Sequence, residues 1–215
     1  MNLLGIGYLG LTVPDVAAWS DFATSIIGLQ RVDGPSRDAP YFRADDRQWR
    51  LTLRQGDRPG IAFVGFEVND EAAFDAALAH LEAEGAKAQP ATQDELAERG
   101  VCGMVHLEDP SGLRIEVFWG PLVTGGFCSP AGVPRFVTEH GFGHYVPLVS
   151  DLPASMDFYR RVLGMRLSDY CDIGPGMSVH FLRCTPRHHT VALTAVGPIE
   201  GLHHIAFEVP DIDDV

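Results

Sequence analysis

The sequence predicts an α+β fold built from tandem βαβββ modules, and three observations lead to that prediction. The chain has 215 residues, enough for one large domain or two small ones. Apolar residues make up 46% of it and charged residues 21%, so it can bury a substantial core. Segments of the first half recur in the second half about 140 residues later, a long period that indicates tandem domains.

The internal repeat consists of five pairs of segments that match in residue type and keep the same order. These pairs are 5–13 with 141–149, 15–29 with 151–165, 41–43 with 181–183, 51–53 with 191–193, and 60–68 with 201–209. In the first pair Tyr8 corresponds to His144, and in the last pair Phe63 corresponds to His204. Five matches in one order are difficult to obtain by chance, so we infer a duplication.

Each unit is predicted to run strand, helix and then three strands. Asp15 is the expected N-cap of a first helix that Gly28 ends, because a carboxylate can accept from the first free N–H groups and glycine tolerates a left-handed end. A second helix is predicted over 70–83 from its apolar spacing. Strands are predicted over 5–13, 40–44, 49–54, 61–68, 104–109 and 113–119.

These elements divide the chain into three parts. Residues 1–120 are expected to form an N-terminal pair of modules, and residues 121–139, rich in glycine and proline, a linker. Residues 140–215 are expected to form a C-terminal domain. By the repeat, that domain stops where its second helix should begin, so we expect it to be incomplete, without that helix and two strands.

Composition and charge exclude several classes of function. The formal net charge of −13 disfavours binding to nucleic acid or to an anionic membrane surface. No apolar run is long enough to span a bilayer, and the N-terminus lacks the basic and apolar regions of a signal peptide. The four cysteines are far apart, so reduced thiols and a cytoplasmic location are expected.

Seven of the nine histidines follow residue 139, so chemistry is expected in the second half. His144 and His204 replace aromatic residues at matching strand positions and can meet inside one curved sheet. Two imidazoles on rigid strands make half of a metal site, although a pair of buried core histidines remains the alternative. Because side chains alternate along a strand, His203 is expected to point away from His204. His188 is expected to point away from His189 if that segment is extended, and to lie at the surface.

Four motifs resemble those of the type I extradiol catechol dioxygenases of the vicinal oxygen chelate superfamily. They are Gly141-Phe142-Gly143-His144-Tyr145, Phe158-Tyr159 with Leu163-Gly164, Arg187-His188-His189-Thr190, and Leu202-His203-His204-Ile205. The resemblance runs through both repeats, and the group most similar is that of the 2,3-dihydroxybiphenyl 1,2-dioxygenases.

The resemblance implies a site and a reaction. The family binds Fe(II), or in some members Mn(II), through two histidines and one glutamate. The two histidine ligands match His144 and His204 of this sequence. His189 matches the family's acid/base residue, and Val146 and Phe181 match residues that line the substrate pocket. The implied reaction inserts O2 beside the two hydroxyls of a catechol, such as 2,3-dihydroxybiphenyl, in aromatic catabolism. The family commonly assembles, so a homo-oligomer is expected.

The glutamate ligand is not expected within the chain. The repeat places it about 40 residues after residue 215, at the position in the second half that corresponds to Glu116 in the first. Glu116 itself accompanies Tyr8 and Phe63 rather than histidines, so the first half is interpreted as a degenerate site. A surface or core-edge position is expected for this glutamate.

Two alternative functions stay open. One is another metal-dependent enzyme of the superfamily, such as a glyoxalase-like isomerase or an epoxide-opening enzyme, which the Arg187–Thr190 motif disfavours. The other is a metal-free binding module or fragment, which His144 and His204 disfavour. Metal retention discriminates between this second alternative and the dioxygenase.

Overall fold

The computed structural model describes residues 1–197, 199 and 201–214, and its first half forms an eight-stranded sheet. The strands of this sheet are β1 (Gly5–Val13), β2 (Gln30–Val32), β3 (Tyr41–Arg43), β4 (Leu51–Gln55), β5 (Gly60–Glu67), β6 (Gln89–Pro90), β7 (Val101–Glu108) and β8 (Arg114–Pro121). Its helices are α1 (Val16–Ser25), α2 (Glu71–Ala83) and α3 (Gln93–Arg99).

The second half forms a five-stranded sheet. Its strands are β9 (His144–Leu148), β10 (Arg166–Gly174), β11 (Met177–Arg183), β12 (Val191–Thr194) and β13 (Gly201–Ala206). Helix α4 (Leu152–Asp157) continues into a π-helical turn at Phe158–Val162, and a 3₁₀ turn follows at Ile212–Asp214. Residue 215, which closes the predicted C-terminal domain, lies outside the described residues. Among the described helices, none is long and apolar enough to cross a membrane.

Both sheets use the same pairing scheme. The first has the order β2-β3-β4-β1-β5-β8-β7-β6, and the second has the order β10-β11-β12-β9-β13. In the first sheet β1 pairs parallel with β4 and antiparallel with β5, and in the second β9 pairs parallel with β12 and antiparallel with β13. The α+β fold of tandem βαβββ modules is therefore confirmed. In the part of the chain that the structure describes, no strand stands beside β13 as β8 stands beside β5.

The helix starts also follow the repeat. Asp15 accepts a hydrogen bond from the Ala18 N–H at 2.9 Å, and Asp151 accepts one from the Ala154 N–H at 2.9 Å. Each carboxylate satisfies an N–H group that has no partner within its helix. The same residue type therefore starts α1 and α4.

Three short elements of the first half were not predicted, and neither was β10, which takes the place of β2 in the second sheet. Strand β2 has three residues and β6 has two, too few to show an alternating pattern. Helix α3 does have a local signature, because Thr92 and Glu95 form a capping box and Gly100 ends the helix in the left-handed region. The prediction also counted β5 as the last strand of the first module, whereas it opens the second.

The two halves share one hydrophobic core, and their backbones are in contact at Gly5 and Gly141, which occupy matching positions of the repeat. Phe66 of β5 and Tyr145 of β9 contribute to this core, with their ring centroids 6.5 Å apart. A Cβ atom on Gly5 would lie 2.6 Å from the His140 carbonyl oxygen, and Gly5 has a φ of +120°. The close approach of the chain segments therefore requires glycine here.

A chain of buried hydrogen bonds joins the two halves through Asp109, Tyr159 and Tyr145. The hydroxyl of Tyr159 donates to Asp109 Oδ2 at 3.1 Å, and the hydroxyls of Tyr159 and Tyr145 are 2.9 Å apart. Both tyrosines are fully buried, and burial raises the pKa of each well above its usual value. The hydroxyls therefore remain protonated and fix the strand on which His144 stands.

Replacing Tyr159 by phenylalanine is expected to lower the free energy of unfolding by about 1–3 kcal/mol, because it removes one hydrogen bond from each of two buried groups. Urea unfolding followed by tryptophan fluorescence measures the loss. Tyr170→Phe is the matched control, because Tyr170 is exposed, and it should change stability by less than about 0.5 kcal/mol. Equal stabilities of the two variants would contradict the role given to this hydrogen-bond chain.

Candidate metal centre

Two histidines of the second sheet lie against each other. The Nε2 atoms of His144 and His204 are 3.2 Å apart. Their ring centroids are 5.3 Å apart, and the rings are nearly perpendicular, at 78°. The sequence-predicted pair is therefore brought together with the same ring atom of each imidazole facing the other.

The strand register produces this contact. Strands β9 and β13 are antiparallel, and His204 pairs with Val146 while Ala206 pairs with His144. The two histidines are thus diagonal neighbours on adjacent strands, a separation that long or aromatic side chains can bridge. A register shift between Leu202 and His204 marks a β-bulge beside the pair, a feature that re-aims side chains.

The spacing of the two nitrogens fits a shared metal ion. A first-row metal binds an imidazole nitrogen at about 2.0–2.1 Å, so two such nitrogens at right angles lie about 3.0 Å apart. The observed 3.2 Å agrees with that separation. Burial, followed by His189, His204 and Arg187, lowers the pKa of His144 to about 4. Burial and His203 lower the pKa of His204, so both imidazoles are neutral at pH 7, the form that binds metals.

His189 is the third histidine of the cluster. Its ring centroid lies 4.1 Å from that of His144 and 5.0 Å from that of Phe181. It stands between β11 and β12, where the chain bends rather than extends. Burial lowers the pKa of His189, and His188 and His204 add to that effect. A half-buried neutral imidazole beside a candidate ligand can accept or return a proton.

The two predicted pocket residues lie around this cluster. Val146 is buried on β9, two residues from His144 and therefore on the same face of the strand. Phe181 lies on β11 and pairs with Ala192 of β12. All five predicted site residues are thus on one five-stranded sheet or on the bend between two of its strands.

One prediction about neighbouring histidines was wrong, and the condition of another is not met. The Nδ1 atoms of His203 and His204 are 2.7 Å apart, so His203 does not point to the opposite face. The β-bulge interrupts the alternation on which that expectation rested. The Nδ1 atoms of His188 and His189 are 3.0 Å apart, because the chain bends there. His188 is exposed, as expected.

The prediction for Glu116 was also wrong. This residue is fully buried, not at the surface or the core edge. Its carboxylate accepts hydrogen bonds from Arg99, Arg114 and the Tyr8 hydroxyl. A buried carboxylate requires such partners, and Arg99 belongs to the helix that was not predicted.

The sequence analysis missed the role of Arg187. Its guanidinium donates to the carbonyl oxygens of Gly141 at 2.8 Å and Val137 at 2.6 Å, and it forms an ion pair with Glu208 at 2.7 Å. These contacts tie the bend that carries His189 to the segments before β9 and after β13. The only sequence signal was a basic residue directly before two histidines.

The ligand set found in the structure is small. Among residues 1–197, 199 and 201–214, no group of three or more His, Cys, Asp and Glu side chains is placed to hold a metal ion. The described residues therefore offer two close imidazole nitrogens, with His189 beside them.

Family models match both halves of the chain. The model described as dihydroxybiphenyl dioxygenase BphC D1 matches residues 6–56. The model described as the glyoxalase/bleomycin resistance protein/dioxygenase superfamily matches residues 141–215. Both halves of the chain thus match families whose descriptions name dioxygenases.

Individual relatives and a solved structure show which group of this superfamily the chain resembles. The chain is 40% identical to a biphenyl-2,3-diol 1,2-dioxygenase of Pseudomonas sp. (strain KKS102), over all of this chain and 75% of that protein. It is 32% identical to an iron-dependent extradiol dioxygenase of Rhodococcus jostii (strain RHA1), over all of this chain and 75% of that protein. The crystal structure of BphC, a halotolerant catechol dioxygenase, superposes with a TM-score of 0.92 at 38% identity, covering 99% of this chain and 72% of that chain. The chain belongs to the extradiol dioxygenase family that includes these biphenyl-2,3-diol 1,2-dioxygenases.

Acidification is expected to destabilise the metal-free chain in part through His144. An unfolded histidine takes up a proton near pH 6.5, whereas folded His144 has a pKa of about 4. The stability contributed by the neutral imidazole is therefore complete above about pH 6.5 and is lost as the pH falls toward 4. The urea concentration at the midpoint of unfolding should fall between pH 7 and pH 4.5. This fall should be smaller for His144→Gln than for the unmodified chain.

His140→Gln is the matched control, because His140 is exposed. It should show the same acid sensitivity as the unmodified chain. If the His144→Gln and His140→Gln variants lost stability equally on acidification, the depressed pKa of His144 would be refuted.

Proposed function

We propose that this chain carries the metal-binding histidines of an iron-dependent extradiol dioxygenase, which inserts O2 into a catechol ring beside its two hydroxyls. The observation that carries the proposal is the 3.2 Å approach of two neutral imidazole nitrogens on adjacent strands, with His189 against one of them. The names of the relatives support the same reaction class. A catechol with an apolar substituent, such as 2,3-dihydroxybiphenyl, is the proposed substrate.

His144 and His204 are the proposed metal ligands, each through its Nε2 atom. Iron is the proposed ion, as in the name of the Rhodococcus relative, and Mn(II) is the alternative. We propose that the carboxylate ligand comes from outside these 215 residues, as the repeat predicts. Iron held by these two histidines and one carboxylate would supply a common binding place for the catechol oxygens and O2.

His189 is the proposed acid/base residue. Its lowered pKa leaves it unprotonated at pH 7, so it can accept a proton from a catechol hydroxyl. Its Nδ1 atom faces the Nδ1 of His188 at 3.0 Å, and we assign the proton exchange to Nε2. The same atom returns the proton when the ring opens.

Val146 and Phe181 are the proposed pocket walls. Phe181 contacts His189, so an aromatic substrate beside that histidine would meet its ring. Val146 provides an apolar surface on the strand that carries His144. Together these side chains would exclude water from the reacting oxygens and favour an apolar substrate ring.

The proposal also assigns roles to the parts of the chain. Residues 1–120 serve as the structural half, residues 121–139 as the linker and residues 140–215 as the metal-site domain. A cytoplasmic location and assembly of identical chains are proposed as well. Three of the four unpaired cysteines are exposed, which fits a reducing compartment.

Alanine at His144 or His204 is expected to weaken Fe(II) or Mn(II) binding by at least about 100-fold, since loss of even an outer hydrogen-bond partner of a ligand costs 10–100-fold. Anaerobic isothermal titration of the metal measures the affinity. His140→Ala is the matched control and should bind as the unmodified chain does. Unchanged affinity in both single variants would remove these histidines from the metal site.

In a protein that includes the proposed carboxylate ligand, His189→Gln is expected to lower kcat for cleavage of 2,3-dihydroxybiphenyl by about 10²–10⁴-fold, because a general acid/base contributes in that range. Formation of the yellow ring-cleavage product measures the rate. Metal affinity should stay within a few-fold of the unmodified value, because His189 is not a proposed ligand. A His189→Gln variant with unchanged kcat would contradict the proton-transfer role.

A further inference from the structure

A deeply buried cation of the first half lies in an aromatic cluster outside the proposed metal centre. Arg99 ends α3, and its side chain is 3% exposed. Its Nε and Nη2 atoms donate to the two carboxylate oxygens of Glu116, each at 2.9 Å. Its guanidinium carbon lies 3.8 Å from the centre of the Phe63 ring. Its Nη1 atom forms an ion pair with Glu98 Oε1 at 3.1 Å. The cation is thus held by a buried carboxylate, a second, partly exposed carboxylate and an aromatic face.

The surrounding residues occupy the repeat positions of the proposed metal centre. Tyr8 stands where His144 stands in the second half, and Phe63 stands where His204 stands. The Tyr8 and Phe63 rings meet at 75° with centroids 6.0 Å apart, and the two histidine rings meet at 78° and 5.3 Å. The edge-on geometry of the ring pair is therefore shared by the two halves.

Glu116 completes the correspondence. It lies on β8, which pairs parallel with β5, the strand of Phe63. This is the place where the repeat predicts a carboxylate ligand for the second half. The Tyr8 hydroxyl donates to Glu116 Oε2 at 2.8 Å. Burial, followed by Glu116, raises the pKa of Tyr8 well above its usual value, so this hydroxyl stays protonated as a donor.

We propose that the first half contains a closed cation site whose cation is the guanidinium of Arg99, in the position that the repeat gives to the metal. The ligand class of this site is a planar guanidinium or amidinium ion, because a fork of N–H groups fits both carboxylate oxygens and a flat cation fits an aromatic face. Without the Arg99 side chain, the site would bind such an ion from solution. This inference does not depend on the proposed oxygenase activity.

The contacts of Glu116 explain why the site needs this cation. The carboxylate is fully buried, and its other charged partner, Arg114, is 28% exposed and reaches it through Nε at 2.7 Å. Removing one partner from a buried ion pair is strongly destabilising, because the remaining charge stays in a medium of low polarity. The stability of this half should therefore depend on a cation at the position of Arg99.

Chemical rescue tests the proposal directly. Arg99→Ala is expected to lower the Tm by roughly 6–20 °C. Guanidinium chloride at about 20 mM, far below its denaturing range, should raise the Tm of this variant, and the rise should grow with the logarithm of the guanidinium concentration. Urea at the same concentration is the matched ligand, because it is planar and of similar size but neutral. Urea should restore nothing.

Arg54→Ala is the matched variant. The Arg54 guanidinium also lies over the Phe63 ring, at 5.0 Å, but it is partly exposed and pairs with Glu98, not with the buried Glu116. Glu98 keeps its ion pair with Arg99 when Arg54 is removed. This variant should keep a Tm close to that of the unmodified chain and should not respond to guanidinium. An Arg99→Ala chain with an unchanged Tm, or with equal rescue by urea and guanidinium, would overturn the proposal.

If the Arg99→Ala variant does not fold during expression, its refolding yield tests the proposal. If Arg99→Ala yields no native chain, dilution from denaturant into buffer with about 20 mM guanidinium should give a higher yield of folded chain than dilution into buffer with urea. Equal yields would contradict the cation site. Glu116→Gln supplies an independent readout, because it retains Arg99 but removes the charge that the cation pairs with. It should also lose stability, and guanidinium should not rescue it.

Discussion

The antiparallel pairing of the first strands of two successive modules determines both sites of the molecule. This pairing joins β1 to β5 in the first sheet and β9 to β13 in the second. Each pair brings one side chain from each strand into a close, edge-on contact of rings. The parallel strands that flank each pair hold the backbone, so the ring contacts are built on rigid elements.

The same backbone arrangement carries opposite electrostatics in its two halves. The first half pairs a buried carboxylate with a buried guanidinium, and no atom from solution is needed to balance the charge. The second half presents neutral imidazoles, because burial and neighbouring positive groups disfavour a proton on them. Neutral imidazole nitrogens have free electron pairs and can coordinate a cation from solution. The difference follows from the residue types at the matching positions, which are Tyr8 and Phe63 in the first half and His144 and His204 in the second.

Much of the fold could be predicted from the sequence because the repeat fixes equivalent elements without any long-range information. The matched segments gave the strands around the site, and the histidine substitutions indicated that His144 and His204 would meet. Short elements such as β2 were missed, because three residues show no periodicity. The orientation of His203 was missed because a β-bulge depends on strand pairing rather than on local sequence.

The environment of Glu116 shows a second limit of sequence reasoning. Its burial depends on Arg99, which lies 17 residues before it and at the end of a seven-residue helix. Nothing in the local pattern around Glu116 shows that a guanidinium reaches it. Arg187 illustrates the same point in the second half, because its partners are carbonyl oxygens, whose direction is set by the tertiary fold. Partners that are distant in sequence were therefore the least predictable part of either site.

Anomalous diffraction at the iron absorption edge tests the central claim most directly. Crystals of the chain would be grown without oxygen in the presence of Fe(II). The account predicts one strong anomalous peak about 2.1 Å from the Nε2 atoms of both His144 and His204, with none in the Tyr8–Phe63–Glu116 cluster. A peak bound elsewhere on the chain, or none between these two imidazoles, would contradict the claim that they form the metal centre.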